Sequence, residues 1–216
     1  MRGGGIKNVI SEGSFSKAGI AYLCTNGIIE NCKNNATISI SDDFGGGIVA
    51  QLNNAKIKNC TNSGNVTGKG DTGGFCGRIF NDSSILNCIN LGKIENTNYG
   101  ATGGIVGIDS NGNYPFVINN CVNVESVVGN RDVGAIVGKT INNGVIKNSY
   151  YLNGSASSSF GSSFDSSFKT TRTLTVEGTT SNDLIDLLNA WVTVNSNDTE
   201  KYLQWAIVDG KPSLVY

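Results

Sequence analysis

Chemistry in this chain of 216 residues has to come from carboxylates and thiols, because it contains no histidine. Without imidazole there is no Ser-His-Asp triad, no Cys-His pair, no HExxH zinc helix and no histidine general base. The acids whose placement draws notice are Asp43, Asp71 and Asp132, each two or three residues ahead of a glycine motif. Paired carboxylates about 5 to 9.5 Å apart support glycoside hydrolysis. The row is interrupted by Ala101-Thr102, and stacked strands put side chains at such distances whether or not they react. Solvated turn aspartates are therefore the preferred reading. A calcium site would need a dense oxygen-ligand motif such as DxDxDG, which is missing. No residue is assigned a catalytic, cofactor-binding or metal-ligating role, and no cofactor is expected.

Six cysteines would ordinarily suggest a disulfide framework. Their spacing argues for something else. Cys32, Cys60, Cys88 and Cys121 follow the same Ile-x-Asn pattern, in ENC, KNC, LNC and NNC. If equivalent residues stack, these thiols stand in one column and point the same way, which does not favour the ~90° disulfide dihedral. Zinc needs tetrahedral convergence, and no CxxC occurs. Buried free thiols acting as small hydrophobes are expected, with Cys76 in the same role and Cys24 unassigned.

The elements that would position these groups are set by a repeat. IKNVISEGSF, IENCKNNATI, IKNCTNSGNV, ILNCINLGKI, INNCVNVESV and a fading IKNSYYLNG begin at Ile6, Ile29, Ile57, Ile85, Ile118 and Ile146. Between them fall AGIAY, GGIVA, GGFCG, GGIVG and GAIVG. A period near 28 residues with short β-branched segments separated by Gly, Asn and Asp predicts stacked coils, each of three short strands and three turns. The expected fold is all-β, a right-handed parallel β-helix of five to six coils over residues 1–153. Asn8, Asn31, Asn59, Asn87, Asn120 and Asn148 should form a column of mutually bonded amides, with Val9, Cys32, Cys60, Cys88, Cys121 and Ser149 as a column of small, mostly apolar groups beside it. The insertion at Asp109 to Pro115 should bulge outward.

GGIVG followed by IxNCxNxGxI resembles the GLUG-type repeat of large bacterial surface and secreted proteins, including regions that accompany immunoglobulin-A-directed metallopeptidases. The resemblance covers residues 6 to 153, with departures at Tyr22, Ala50, Ala135 and Ser149. It implies a stalk or presentation scaffold at the cell surface or outside the cell. No metallopeptidase motif matches, so that activity is not carried over.

Residues 154–179 form a Ser/Phe-rich connecting segment in which Phe160, Phe164 and Phe168 read as anchors on the solenoid. Over 180–216, Thr180 and Asp183 fit a capping box, and Leu184, Ile185, Leu187, Leu188, Trp191 and Val192 mark one face of a helix. Asp209-Gly210 marks a hairpin turn. Helix and hairpin are expected to cap the exposed strand edges of the last coil.

The formal charge of -1 with 15% charged residues offers no basic patch for nucleic acid. No apolar run is long enough to span a bilayer. The preferred function is a non-catalytic structural or adhesive segment of a bacterial surface or secreted protein, with glycans, cell-surface proteins or the parent polypeptide as partners. The alternatives are a polysaccharide lyase or glycoside hydrolase, and a self-assembling fibre subunit.

Overall fold

The computed structural model describes residues 1–110, 114–141, 144–163, 174–175 and 181–216. Phe164, Phe168 and Thr180 lie outside them. Short strands recur in fixed order and pair in parallel with their equivalents one repeat away. Gly5–Lys7, Ile28–Glu30, Lys56–Lys58, Ser84–Leu86, Val117–Asn119 and Val145–Lys147 form the first of five such sheets. Their register places Ile6, Ile29, Ile57, Ile85, Ile118 and Ile146 in one column. The fourth sheet has four strands, Phe44–Gly46, Asp71–Gly73, Thr102–Gly103 and Val133–Gly134. Four coils therefore carry all five strands, and an incomplete coil flanks them at each end.

A coil holds five short strands where three were expected. Left-handed residues cut the sides into shorter pieces. The corner asparagines Asn8, Asn31, Asn59, Asn87, Asn120 and Asn148 have φ between 43° and 58°, a region Asn tolerates better than other side-chain-bearing residues. Each bends the chain between the first and second strands of its coil. The insertion in the longest coil does not disturb the stack, since Ser84, Ile85 and Leu86 pair with Val117, Ile118 and Asn119 beyond it. Asp109, at the start of that insertion, is not outside but buried at the end of strand Val106–Asp109, where its Oδ1 accepts the Ile141 N–H.

Inward columns make the core. Ile29, Ile57, Ile85, Ile118 and Ile146 of the first strands, the cysteines and the GGIVG-type residues Ile48, Phe75, Ile105 and Ile136 pack together, all essentially sealed from solvent, with Ile6 partly buried against them. Ile38, Val66, Ile94 and Val127 form a second cluster on another side. Cys76 shares a column with Val49 and Val106, and Cys24 lies opposite Leu52.

The solenoid continues past residue 153: Phe160–Ser163 extends the fifth sheet beside Val137–Thr140, and Leu174–Thr175 lies beside Tyr150–Tyr151. Phe160 packs against the core. The helix Ser181–Asn195 and the antiparallel hairpin Trp205–Val208 and Lys211–Leu214 follow, with Asp209 and Gly210 at positive φ in the turn.

These C-terminal elements do not sit over the last coil. They lie along the flank, across several coils, because the outward side of the second sheet is apolar there. Ile10, Lys33, Thr61, Ile89, Val122 and Tyr150 share one outward column. Of these, Ile89, Val122 and Tyr150 are buried with Leu184, Leu188, Val192, Trp205 and Leu214, while Ile10 at the start of the column is exposed. Leu187, expected on the packing face, points to solvent at 44% exposure.

The asparagine column supplies the polar half of this contact. Along it, Asn31, Asn59, Asn87 and Asn120 each donate from Nδ2 to the Oδ1 of the coil before, at 3.3, 3.1, 2.9 and 2.7 Å. Asn148 leaves the column and bonds Asn119 instead. Asn59 Nδ2 also reaches the Lys201 carbonyl, Asn87 Nδ2 that of Leu203, and Asn120 Nδ2 that of Leu188. Asn87 Oδ1 accepts the Trp205 indole N–H at 2.6 Å. A charged clamp closes one edge, where Lys58 lies 2.9 Å from Glu30 and 3.1 Å from Glu200, its side chain 6% exposed.

Removing Asn87 should break bonds to two neighbouring coils and to the C-terminal elements together. Asn87→Ala is expected to cost about 2–4 kcal/mol in chemical denaturation. Asn87→Gly, which relieves only the backbone conformation, should recover about 1 kcal/mol of that. A second expectation concerns pH. Burial opposes the charge of Glu30 and Glu200, but bonds to Lys7, Lys58 and Lys56 outweigh it and hold both carboxyls below their ordinary value of 4.5. Burial likewise opposes the Lys58 charge, yet the two glutamates hold it above 10.5. The glutamates' contribution is thus complete above pH 4.5 and lost as pH falls below it; that of Lys58 is complete below 10.5 and lost at higher pH. Acidification below 4.5 should change the fluorescence of Trp191 and Trp205, both in the C-terminal elements, before the far-ultraviolet strand signal decays. Simultaneous loss of both signals would show that the flank is not separately weakened.

Candidate functional site

The thiols of Cys32, Cys60, Cys88 and Cys121 serve the backbone. Each donates to the carbonyl two residues before it, from Cys60 to Lys58 at 3.1 Å and from Cys88 to Leu86 at 3.2 Å, for example. Each Sγ of Cys60 and Cys88 also accepts the N–H of the cysteine one coil earlier, at 3.4 Å. In the last coil the Ser149 hydroxyl does both, donating to Lys147 and accepting the Cys121 N–H. All six cysteines are free and buried. Burial pushes the thiols of Cys24, Cys76 and Cys88 up, and hydrogen bonding with Cys60, then burial, does so for Cys32. These four are neutral near pH 7 and are not activated nucleophiles.

A second amide ladder runs inside the solenoid, from the second asparagine of each IxNCxN copy. Asn34, Asn62 and Asn90 donate to Asn62, Asn90 and Asn123, each at 2.7 Å, and all four are fully buried. Ser11 starts the row by donating to Asn34 Oδ1. The direction is opposite to that of the corner column. Sequence reasoning did not assign this ladder, although the regularity of the second asparagine was the available signal. It also explains why the two motifs travel together: a Cβ on Gly47 or Gly74 would strike the amide of Asn62 or Asn90. Where Tyr151 replaces the asparagine opposite Asn123, the glycine has become Ala135.

The acids lie where the fourth strand begins, Asp71 as its first residue and Asp43 and Asp132 just before it. Asp71 pairs in register with Phe44, which leaves Asp43 one position away and exposed. Asp132 is held at positive φ two coils beyond Asp71, with Ala101 between them in the same register. That separation is about 9.6 Å from two strand spacings. Asp71 is already committed: Oδ2 accepts the Arg78 Nε–H at 2.7 Å and Oδ1 accepts the Ala101 N–H at 3.2 Å. Asp132 Oδ2 lies 3.4 Å from Arg131 Nε and 3.9 Å from Lys139 Nζ. Arg78 and Lys139 occupy one column with Ile108 between them. Acid and base thus appear together in alternate coils and vanish together in the intervening one, the pattern of charge pairs that neutralise each other. Among the described residues, no group of three His, Cys, Asp or Glu side chains could hold a metal ion.

Between Asp42, Asp43, Lys69, Asp71, Arg78 and Asn98 lies an open depression of ≈ 350 Å³. Its edge continues into aromatic surface. The Arg78 guanidinium sits 4.4 Å from the Phe44 ring centre, and Tyr22 stacks on the same ring at 6.1 Å. Sequence reasoning found Asp43 and Asp71 here but not Tyr22, which it met only as a departure from the glycine motif.

No protein-family model and no curated protein matches the sequence. Among solved structures, the chain is similar to a proposed immunoglobulin A1 protease from Bacteroides ovatus, with 20% identity and a TM-score of 0.63. The match covers 97% of this chain and 74% of the other. The likeness is one of fold.

The thiol column predicts a graded response. Cys60→Ser should retain stability to within about 1 kcal/mol, since Ser149 already fills the equivalent place. Cys60→Ala leaves the Cys32 N–H without its acceptor and should cost about 1–3 kcal/mol more in denaturant melts. Equal loss in both variants would show that thiol packing, rather than hydrogen bonding, is what matters.

Proposed function

We propose that this chain is a non-catalytic segment of a bacterial surface or secreted protein, of the GLUG-repeat type, whose stiff stacked coils present outward turns to glycans or proteins. The observation that carries the reading is the pairing of Asp71 with Arg78 and of Asp132 with Lys139 and Arg131. A retaining or inverting glycosidase needs one carboxyl to donate a proton and another to act as nucleophile or base. Carboxylates neutralised by their own coil are better suited to shaping a polar surface. The chain's lack of histidine also leaves no histidine ligands for a zinc peptidase centre among its residues. The name of the Bacteroides ovatus neighbour makes immunoglobulin A1 a natural candidate ligand.

End-to-end assembly is a second reading, favoured by Val9 and Phe15 of the first coil, which are 38 and 43% exposed while the register partner of Phe15, Ile38, is buried. It predicts growth of the particle with concentration in small-angle scattering, and a monomer at high concentration removes it. The main reading is checked with an array of glycans and host proteins that includes immunoglobulin A1, with depolymerisation and proteolysis followed in the same wells. Capture without product is expected; turnover in any well overturns the reading.

A further inference from the structure

We propose that Tyr22, Phe44 and the adjoining depression form a binding subsite for a neutral polyhydroxylated glycan, an inference that rests on the ligand-presenting reading above. Tyr22 is a structural exception. In the later coils its place is taken by Ala50, Gly77, Gly107 and Gly138, as the register Ala21–Val49–Cys76–Val106–Val137 shows. A Cβ at Gly77 would strike the backbone of Gly45 and Asp71. A Cβ at Gly107 or Gly138 would likewise strike the backbone of the coil before it, whereas the Tyr22 ring lies against Phe44 of the next coil.

The ring is presented rather than hidden. Tyr22 is 55% exposed, while the Phe44 beneath it is nearly buried, and the two planes differ by 23°. The Arg78 guanidinium and the Lys17 ammonium, which pairs with Asp42, also lie against the Phe44 ring. Tyr22 therefore rests on a fixed plate, which lowers the ordering cost of binding. An exposed aromatic face receives the apolar C–H side of a sugar ring, and neighbouring polar groups fix its hydroxyls.

Charge identifies the class of glycan. Around the platform and depression, Asp42, Asp43 and Asp71 balance Lys17, Lys69 and Arg78. Arg78 is tied to Asp71 and Lys17 to Asp42. A sulfated or uronate chain would need a surplus of cations, whereas a neutral sugar can donate hydroxyls to the carboxylates and accept from the N–H groups.

Calorimetric titration of the full chain with cellohexaose, maltohexaose and hexa-N-acetylchitohexaose, and with heparin and polygalacturonate as anionic arms, tests the proposal. At least one neutral hexasaccharide should bind, about tenfold more weakly to Tyr22→Ala and nearly unchanged to Tyr22→Phe. Melting curves of both variants should match the parent, because the side chain is mostly exposed. Binding confined to anionic polymers, silence of all three neutral probes, or full affinity in Tyr22→Ala overturns the subsite. In those cases capture of another glycan or a protein on the array leaves the scaffold reading standing, whereas shortening of a hexasaccharide overturns that reading instead.

Discussion

Everything in this structure follows from stacking equivalent residues one strand spacing apart. At about 4.8 Å a side-chain amide can donate to its copy in one neighbouring coil and accept from its copy in the other, so a row of identical asparagines satisfies itself without water. The corner row does this while holding a left-handed backbone conformation, and the buried row does it while bonding the backbone two residues on. A buried amide left without partners would cost about 1–3 kcal/mol, so the identity of each residue is imposed by the coils on either side of it. The ladder therefore specifies register as well as strength, because a shift by one residue would set each corner amide against a cysteine or against the residue before the asparagine.

The same demand connects parts of the chain that are far apart in sequence. The buried asparagines need glycine in the coil below, and the corner asparagines carry surplus donors and acceptors on their outer side. The segment from Lys201 to Trp205 uses that surplus, bonding to Asn59 and Asn87 over more than 110 residues of separation. Hydrophobic burial of Ile89, Val122 and Tyr150 completes the contact. The C-terminal helix and hairpin thus brace several coils at once, which an end cap would not do.

Function is confined to what the ladders leave free. Thiols, amides and inward isoleucines are committed to the stack, and the acids where the fourth strand begins are largely neutralised by neighbouring bases. The positions able to vary without breaking a column are outward turn residues and those at the incomplete coils. Tyr22 belongs to the second group and the depression beside Asp43 and Lys69 to the first.

The sequence by itself determined the solenoid, its period, the corner asparagine column, the clustering of cysteines and the helix and hairpin, because each repeats or follows from local backbone preference. Five strands per coil rather than three, the internal amide row and its match to Gly47 and Gly74 depended on which side chains meet across a coil. A one-dimensional pattern does not carry that information. The placement of the C-terminal elements on the flank, the pairing of Asp71 with Arg78, and the stacking of Tyr22 on Phe44 were decided only by tertiary structure. In each case the cause is a neighbour supplied by another coil or by a distant segment of the chain.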